Sequence, residues 1–160
     1  MNIGIVVYSH TGNTRLVAGK LKDALAAAGH RVTMGEVTLA EARVQGSKNV
    51  KLAPIPALSG YDALVLGAPV EAFTLSPVMA KALEDAPSLE RVRVACLVTQ
   101  GLAYRWLGGN GALRRMRRLC EAKGATVIGG EVVSWAGGGL DGRIARAVEA
   151  LEQLIAAPKT

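Results

Sequence analysis

Aromatic residues are scarce in this sequence, with two Trp, three Tyr and one Phe among 160 residues. Its basic residues therefore lack the interleaved rings that stack nucleic-acid bases, and no nucleic-acid partner is expected. Histidine and cysteine are scarcer, at two each. His10 and His30 lie far apart, without neighbouring ligands at a recognisable spacing, so no metal site is expected. Two cysteines cannot form the disulfide framework of a small secreted scaffold, and they fit a reducing compartment. Cys96 lies in the apolar run Val94 to Val98 and Cys120 continues the apolar face of a helix, so both read as buried thiols. No apolar run matches a bilayer span, and residues 2 to 8 have neither a basic leader nor a cleavage signature. The expectation is a cytoplasmic protein without membrane association.

What remains is the composition of an ordinary globular protein, half hydrophobic and one fifth charged. A chain of this length buries roughly two thirds of its unfolded surface around one core, so residues 1–160 read as a single domain. Strand-like and helix-like periods alternate in five units, the pattern of a parallel sheet covered on both faces by helices. The first strand leads into a helix through about Ala28, with an apolar stripe of Leu16, Val17, Leu21, Ala24, Leu25 and Ala28, ended by Gly29. Arg31 to Val37, Tyr61 to Gly67, Val92 to Thr99 and Ala125 to Val133 supply the other strands. Pro77 opens the helix after the third strand, Asn110 to Lys123 form the next, and Asp141 caps a terminal helix reaching about Ala156.

The most informative stretch is Ile3 to Thr14, where an apolar strand runs directly into Ser9-His10-Thr11-Gly12-Asn13-Thr14 and then into a helix. Unpaired backbone N–H groups and the positive end of the helix dipole converge at such a turn, and Ser9, Thr11 and Thr14 add hydroxyl donors. An anion is expected there. The stretch lacks the lysine of G-x-x-x-x-G-K-[ST], which excludes a nucleoside-triphosphate cradle and favours a phosphate monoester. Gly137 to Gly142 formally contains G-x-G-x-x-G, but no strand follows the next helix, so it reads as a flexible connection and not a dinucleotide site.

Ser9 to Thr14 resembles the phosphate loop of the flavodoxin family, T/S-x-T-G-x-T. The resemblance extends over essentially the whole chain and implies a doubly wound five-stranded parallel sheet of order 2-1-3-4-5, in its short-chain form because the fifth strand is uninterrupted. It also implies FMN, bound at three loops: residues 9 to 14, 68 to 73 and 99 to 109. In the second loop, Ala68, Pro69, Val70, Glu71, Ala72 and Phe73 resemble the family segment beside the flavin ring, with Glu71 where many members place tryptophan. Phe73 is then the only aromatic candidate on that side, and packing as a core anchor is its other reading. In the third, Thr99, Gln100, Gly101, Tyr104, Trp106, Gly108 and Gly109 resemble the second flavin-flanking loop. Tyr104 and Trp106 compete for the ring face, and Trp106 alternatively covers the end of the sheet. His10 either donates to the phosphate or faces solvent.

The implied function is an FMN-binding electron carrier working between redox partner proteins, with no catalytic side chain of its own. Its charge departs from the acidic character of that family: 19 Lys and Arg against 13 Asp and Glu give a formal net charge of +6. Acidic redox partners or a phosphorylated nicotinamide, NAD(P)H, would be attracted to such a surface, where Arg15 and Arg105 flank the site. Arg114, Arg115, Arg117 and Arg118 form the outer, solvated face of their helix. Two other functions remain open: an FMN-dependent NAD(P)H:quinone or small-acceptor reductase, favoured by the basic rim, and a flavin-free interaction module, motivated by Glu71.

Overall fold

A computed structural model describes residues 1–44 and 47–159. Its elements are β1 (Asn2–Val7), α1 (Asn13–Ala27), β2 (Arg31–Glu36), β3 (Ala63–Glu71), β4 (Thr74–Leu75), α2 (Pro77–Glu84), β5 (Arg93–Gln100), α3 (Gly109–Ala122), β6 (Thr126–Ser134) and α4 (Leu140–Ala156). The main sheet has the order β2-β1-β3-β5-β6 and all its neighbours are parallel. With the two-residue β4 set aside, this is the expected order 2-1-3-4-5. The inner strands β1, β3 and β5 read as continuous aliphatic runs because both faces are covered.

Two apolar layers form on the two faces. Ile3, Ile5 and Val7 of β1 pack with Val17, Leu21 and Leu25 of α1 and with Ile144, Leu151 and Ile155 of α4. Val6, Leu64, Leu66 and Val94 point the other way, toward Met79 and Leu83 of α2 and Met116 and Cys120 of α3. Successive strand residues alternate between the layers, as the pleat requires. Arg114, Arg115, Arg117 and Arg118 lie exposed on the outer side of α3.

Several sequence expectations are corrected. Leu16 is 48% exposed and Ala28 lies exposed just past α1, because the buried face is centred on Val17, Leu21 and Leu25 and one residue along a helix turns about 100°. The third strand runs on through Glu71, so residues 68 to 71 are not a loop: Ala68 and Pro69 pair with Val98 and Thr99 of β5. Val70 and Glu71 then pair with Leu75 and Thr74 in an antiparallel hairpin. Its two-residue turn, Ala72 and Phe73, has φ of 48° and 64°, the pair of left-handed residues that a tight hairpin requires. Asp141 does not cap α4. Gly139 is the N-cap, and Asp141 lies in the first turn, facing the helix dipole. The glycine-rich connection before α4 is tied down, since Arg143 donates to the carbonyls of Ser134, Ala136 and Gly138.

Between β5 and β6 the register slips at Val94/Ala95, so Ile128 has no partner and forms a bulge in the edge strand. The connection from Thr38 to Gly60 is irregular, closed by a bridge between Leu39 and Leu52, and Gln45 and Gly46 lie outside the described residues.

Cys96 and Cys120 are both buried, one on β5 and one on α3. A hydrogen bond between the two thiols and their burial push Cys96 well above its ordinary pKa. Burial keeps reagent from both thiols, so iodoacetamide at neutral pH is expected to leave both cysteines of the native protein unmodified and to label both after denaturation. Mass spectrometry checks this, and labelling of the folded protein would contradict it.

Candidate functional site

The order of a doubly wound sheet reverses between β1 and β3, because α1 covers one face and α2 the other. The loops leaving the carboxyl ends of those strands diverge there and open a crevice. A cavity of about 500 Å³ lies at that point. His10, Thr11 and Asn13 line it from the turn after β1, Pro69, Val70, Glu71 and Ala72 from β3 and the hairpin, and Thr99, Gln100 and Gly101 from the end of β5. The three segments singled out in the sequence therefore converge on one cavity.

Gly12 is the N-cap of α1, with φ of 94° and no side chain of its own to cap the helix, so of the first-turn N–H groups only that of Arg15 is taken by a side chain. That terminus is available to an anion. Two of the three hydroxyls are engaged within the protein. Ser9 Oγ accepts from the backbone N–H of Arg15 at 3.2 Å and borders a neighbouring cavity of about 240 Å³. Thr14 is buried and its Oγ1 shares a 2.7 Å hydrogen bond with Thr99 Oγ1, which fastens the first loop to the third across β3. Thr11 is the hydroxyl left on the cavity wall. His10 is exposed and borders both cavities. Arg15 pairs with Glu36 at 2.5 Å, and Arg105 donates to Asn110 Oδ1 at 3.2 Å.

Glu71 carries the least expected contacts. Its Oε1 accepts from Arg43 Nη2 at 2.6 Å, and its Oε2 accepts from the hydroxyl of Ser76, the N-cap of α2. Arg43 belongs to the connection from Thr38 to Gly60, in which the sequence marks no chemistry. Burial lowers its pKa, but hydrogen bonds to Glu71 and Tyr8 and their charges outweigh this and push it up, so it stays a cation.

The aromatic residues are not core. Phe73, Tyr104 and Trp106 are 66%, 60% and 72% exposed, so Phe73 anchors nothing and Trp106 does not cover the sheet end. Tyr104 and Trp106 stack on one another with ring centroids 5.6 Å apart. All three lie outside the residues lining the cavity, exposed on the hairpin turn and the loop that continue from its walls at Ala72 and Gly101. Ala68, Gly108 and Gly109 are buried behind the wall. Gly108, with φ of 126°, lets the start of α3 approach the hairpin: a Cβ there would lie 2.7 Å from Val70 Cγ1 and 3.1 Å from Phe73 Cα. Gln100 Nε2 donates to the carbonyls of Leu102 and Tyr104, at 2.7 and 2.8 Å, and so shapes the third loop.

The titratable groups on the cavity wall are His10 and the ion-paired Glu71. Among the described residues no three His, Cys, Asp or Glu side chains come together to hold a metal ion. No helix among them is long and apolar enough to cross a membrane.

No family model matches the chain, and no curated protein sequence matches it. Solved structures do. Oxidised flavodoxin 1 from Bacillus cereus superposes with a TM-score of 0.68 at 13% identity, over 99% of this chain and 100% of that one. A short-chain flavodoxin associated with a non-canonical PDU bacterial microcompartment gives a TM-score of 0.61 at 16% identity, over 98% and 99%. A flavoprotein in complex with FMN from Lactobacillus acidophilus gives 0.62 at 16% identity, over 91% and 97%. Likeness at these identities establishes the architecture: the chain has the flavodoxin fold.

Proposed function

We propose that this chain, as a single domain of residues 1–160, binds FMN and carries electrons between redox partner proteins in the cytoplasm. The observation that supports it most is the meeting of three segments around one cavity at the reversal point of the sheet, beside a helix N-terminus whose first N–H groups, those of Asn13 and Thr14, carry no side-chain cap. The residues present fit the cofactor. A volume of about 500 Å³ lies within the range of cofactor pockets, and the open N–H groups of α1 suit a phosphate. His10, Thr11 and Asn13 would hold the phosphate, with Ser9, Gly12 and Thr14 keeping the turn in shape. Pro69 to Ala72 and Thr99 to Gly101 would flank the ring, with Ala68, Gly108 and Gly109 supporting them from behind. Phe73, Tyr104 and Trp106 stand exposed on the adjoining turn and loop, where a partner would approach.

FMN supplies the electron chemistry when bound, and the protein's contribution is grip, orientation and electrostatics. The net charge of +6 favours acidic redox partners. Protein stripped of ligand is expected to quench FMN fluorescence with a dissociation constant at least about a hundredfold below that for riboflavin, since two charge-assisted hydrogen bonds to phosphate contribute about 3 kcal/mol or more. Equal affinity for the two would remove the phosphate from the first loop, and binding of neither would remove FMN altogether.

One observation favours a reductase instead. A second cavity of about 310 Å³ shares Glu71 and Ala72 with the first and is lined by Arg43, Lys48, Lys81 and Arg115, a setting for a phosphorylated nicotinamide. Steady-state NAD(P)H oxidation with a quinone acceptor separates the two readings. Turnover supports the reductase, and its absence in FMN-loaded protein supports the carrier.

A further inference from the structure

Glu71 belongs to the walls of both cavities. Its side chain is 20% exposed and that of Arg43 only 5%, so this ion pair is largely shielded from the solvent that weakens surface pairs. The pair also joins three parts of the chain. Arg43 Nη1 donates to the carbonyl of Ser47 at 3.0 Å, which fixes the connection from β2. Glu71 is the last residue before the Ala72–Phe73 turn. Ser76, which donates to Glu71, also accepts from the N–H of Val78 at 3.3 Å and starts α2. The other charged or titratable groups around the two cavities are His10 in the first, Lys48, Lys81, Glu84 and Arg115 in the second, and Tyr8 beside Arg43.

We infer that Arg43 is a positioning residue for the FMN site: it holds Glu71 on the cavity wall, fixes the hairpin turn through it, and cancels the carboxylate charge that the flavin would otherwise face. This rests on the FMN reading. It gives the connection from Thr38 to Gly60 a function, since it delivers the cation. It also accounts for Glu71, whose charge at this place would oppose reduction of the flavin were it not balanced.

The test is the potential of the second one-electron step, measured on FMN-loaded protein. Glu71→Gln removes a negative charge from the wall and is expected to favour the reduced flavin by about tenfold, which is 59 mV for one electron. Arg43→Met removes a positive charge and is expected to disfavour it by a similar factor. The double variant, Arg43→Met with Glu71→Gln, is expected to return to within about twofold of wild type. A role confined to packing loosens the same turn in both single variants and moves them in the same direction. That result overturns the inference, as does the absence of any shift. Removing one partner of a shielded pair is costly, so Arg43→Met can fail to fold. Arg43→Lys keeps the charge and is then expected to hold the wild-type potential while Glu71→Gln departs from it; a lysine variant that shifts as far as Glu71→Gln overturns the inference. Failure of wild-type protein to take up FMN removes both readings, whereas uptake with unmoved potentials removes this one alone.

Discussion

Gly12→Val is expected to weaken FMN binding about a hundredfold while the protein stays folded, a loss of about 2.7 kcal/mol and the size of one or two charge-assisted hydrogen bonds. The cause is backbone geometry and not crowding. A Cβ at Gly12 finds open room, with Arg15 Nη1 the nearest atom at 3.8 Å, but φ of 94° is a conformation a β-branched residue resists. Relaxing that strain re-aims the N–H groups of Asn13 and Thr14, the donors that α1 leaves uncapped. The stability cost is about 1–2 kcal/mol, so thermal unfolding and fluorescence titration together separate ligand loss from collapse. Gly12→Asn is the companion variant, because asparagine tolerates left-handed backbone and should keep most of the affinity. Wild-type affinity in the valine variant would mean that this turn does not hold the phosphate.

The largest expected loss of stability comes from the other side of the cavity. Gly108→Ala places a methyl group 2.7 Å from Val70 Cγ1 and 3.1 and 3.2 Å from the Cα and carbonyl carbon of Phe73. A side chain can rotate away, but the Phe73 backbone cannot retreat without opening a hairpin turn that already holds two left-handed residues. Together with the φ of 126° this amounts to about 2–4 kcal/mol, or a fall in melting temperature of about 5–10 °C for a chain of this size. Gly101→Ala is the control: it lies in the same loop, without a positive φ and with nothing within 4 Å of a Cβ, and its melting temperature is expected to stay within about 2 °C of wild type. Equal losses in the two variants would show that the hairpin and α3 do not depend on their close approach.

These two glycines mark how far the sequence could be read. The turn between β1 and α1 was legible because its signal is local, with strand, small polar turn and helix in succession. The parallel sheet followed from strand-like and helix-like periods in alternation, whereas its order 2-1-3-4-5 came from the flavodoxin resemblance and not from the aliphatic runs. The hairpin was not legible, since its turn is Ala72–Phe73 and lacks the Asn-Gly or Asp-Gly that normally announces two left-handed residues. Nor was the fate of the hydroxyls: Thr14 meets Thr99, 85 residues later, only after β1 and β5 are placed on either side of β3. Arg43 gave no signal at all, a single arginine in an irregular connection, 28 residues before the carboxylate it holds. The exposed aromatics illustrate the opposite case, in which local enrichment was visible while their orientation was set by loop geometry, through Gln100 holding the carbonyls of Leu102 and Tyr104.

The bulge at Ile128 matters for how this molecule behaves among copies of itself. An edge strand that runs straight and apolar is a template onto which a neighbouring chain can add, the first step toward fibrous aggregation. Here the extra residue increases the twist of β6, and Glu131 places a half-buried charge in the middle of the same strand. A foreign strand would have to follow the twist and bury that charge to zip along β6. At high protein concentration, growth of strands onto this border is therefore disfavoured.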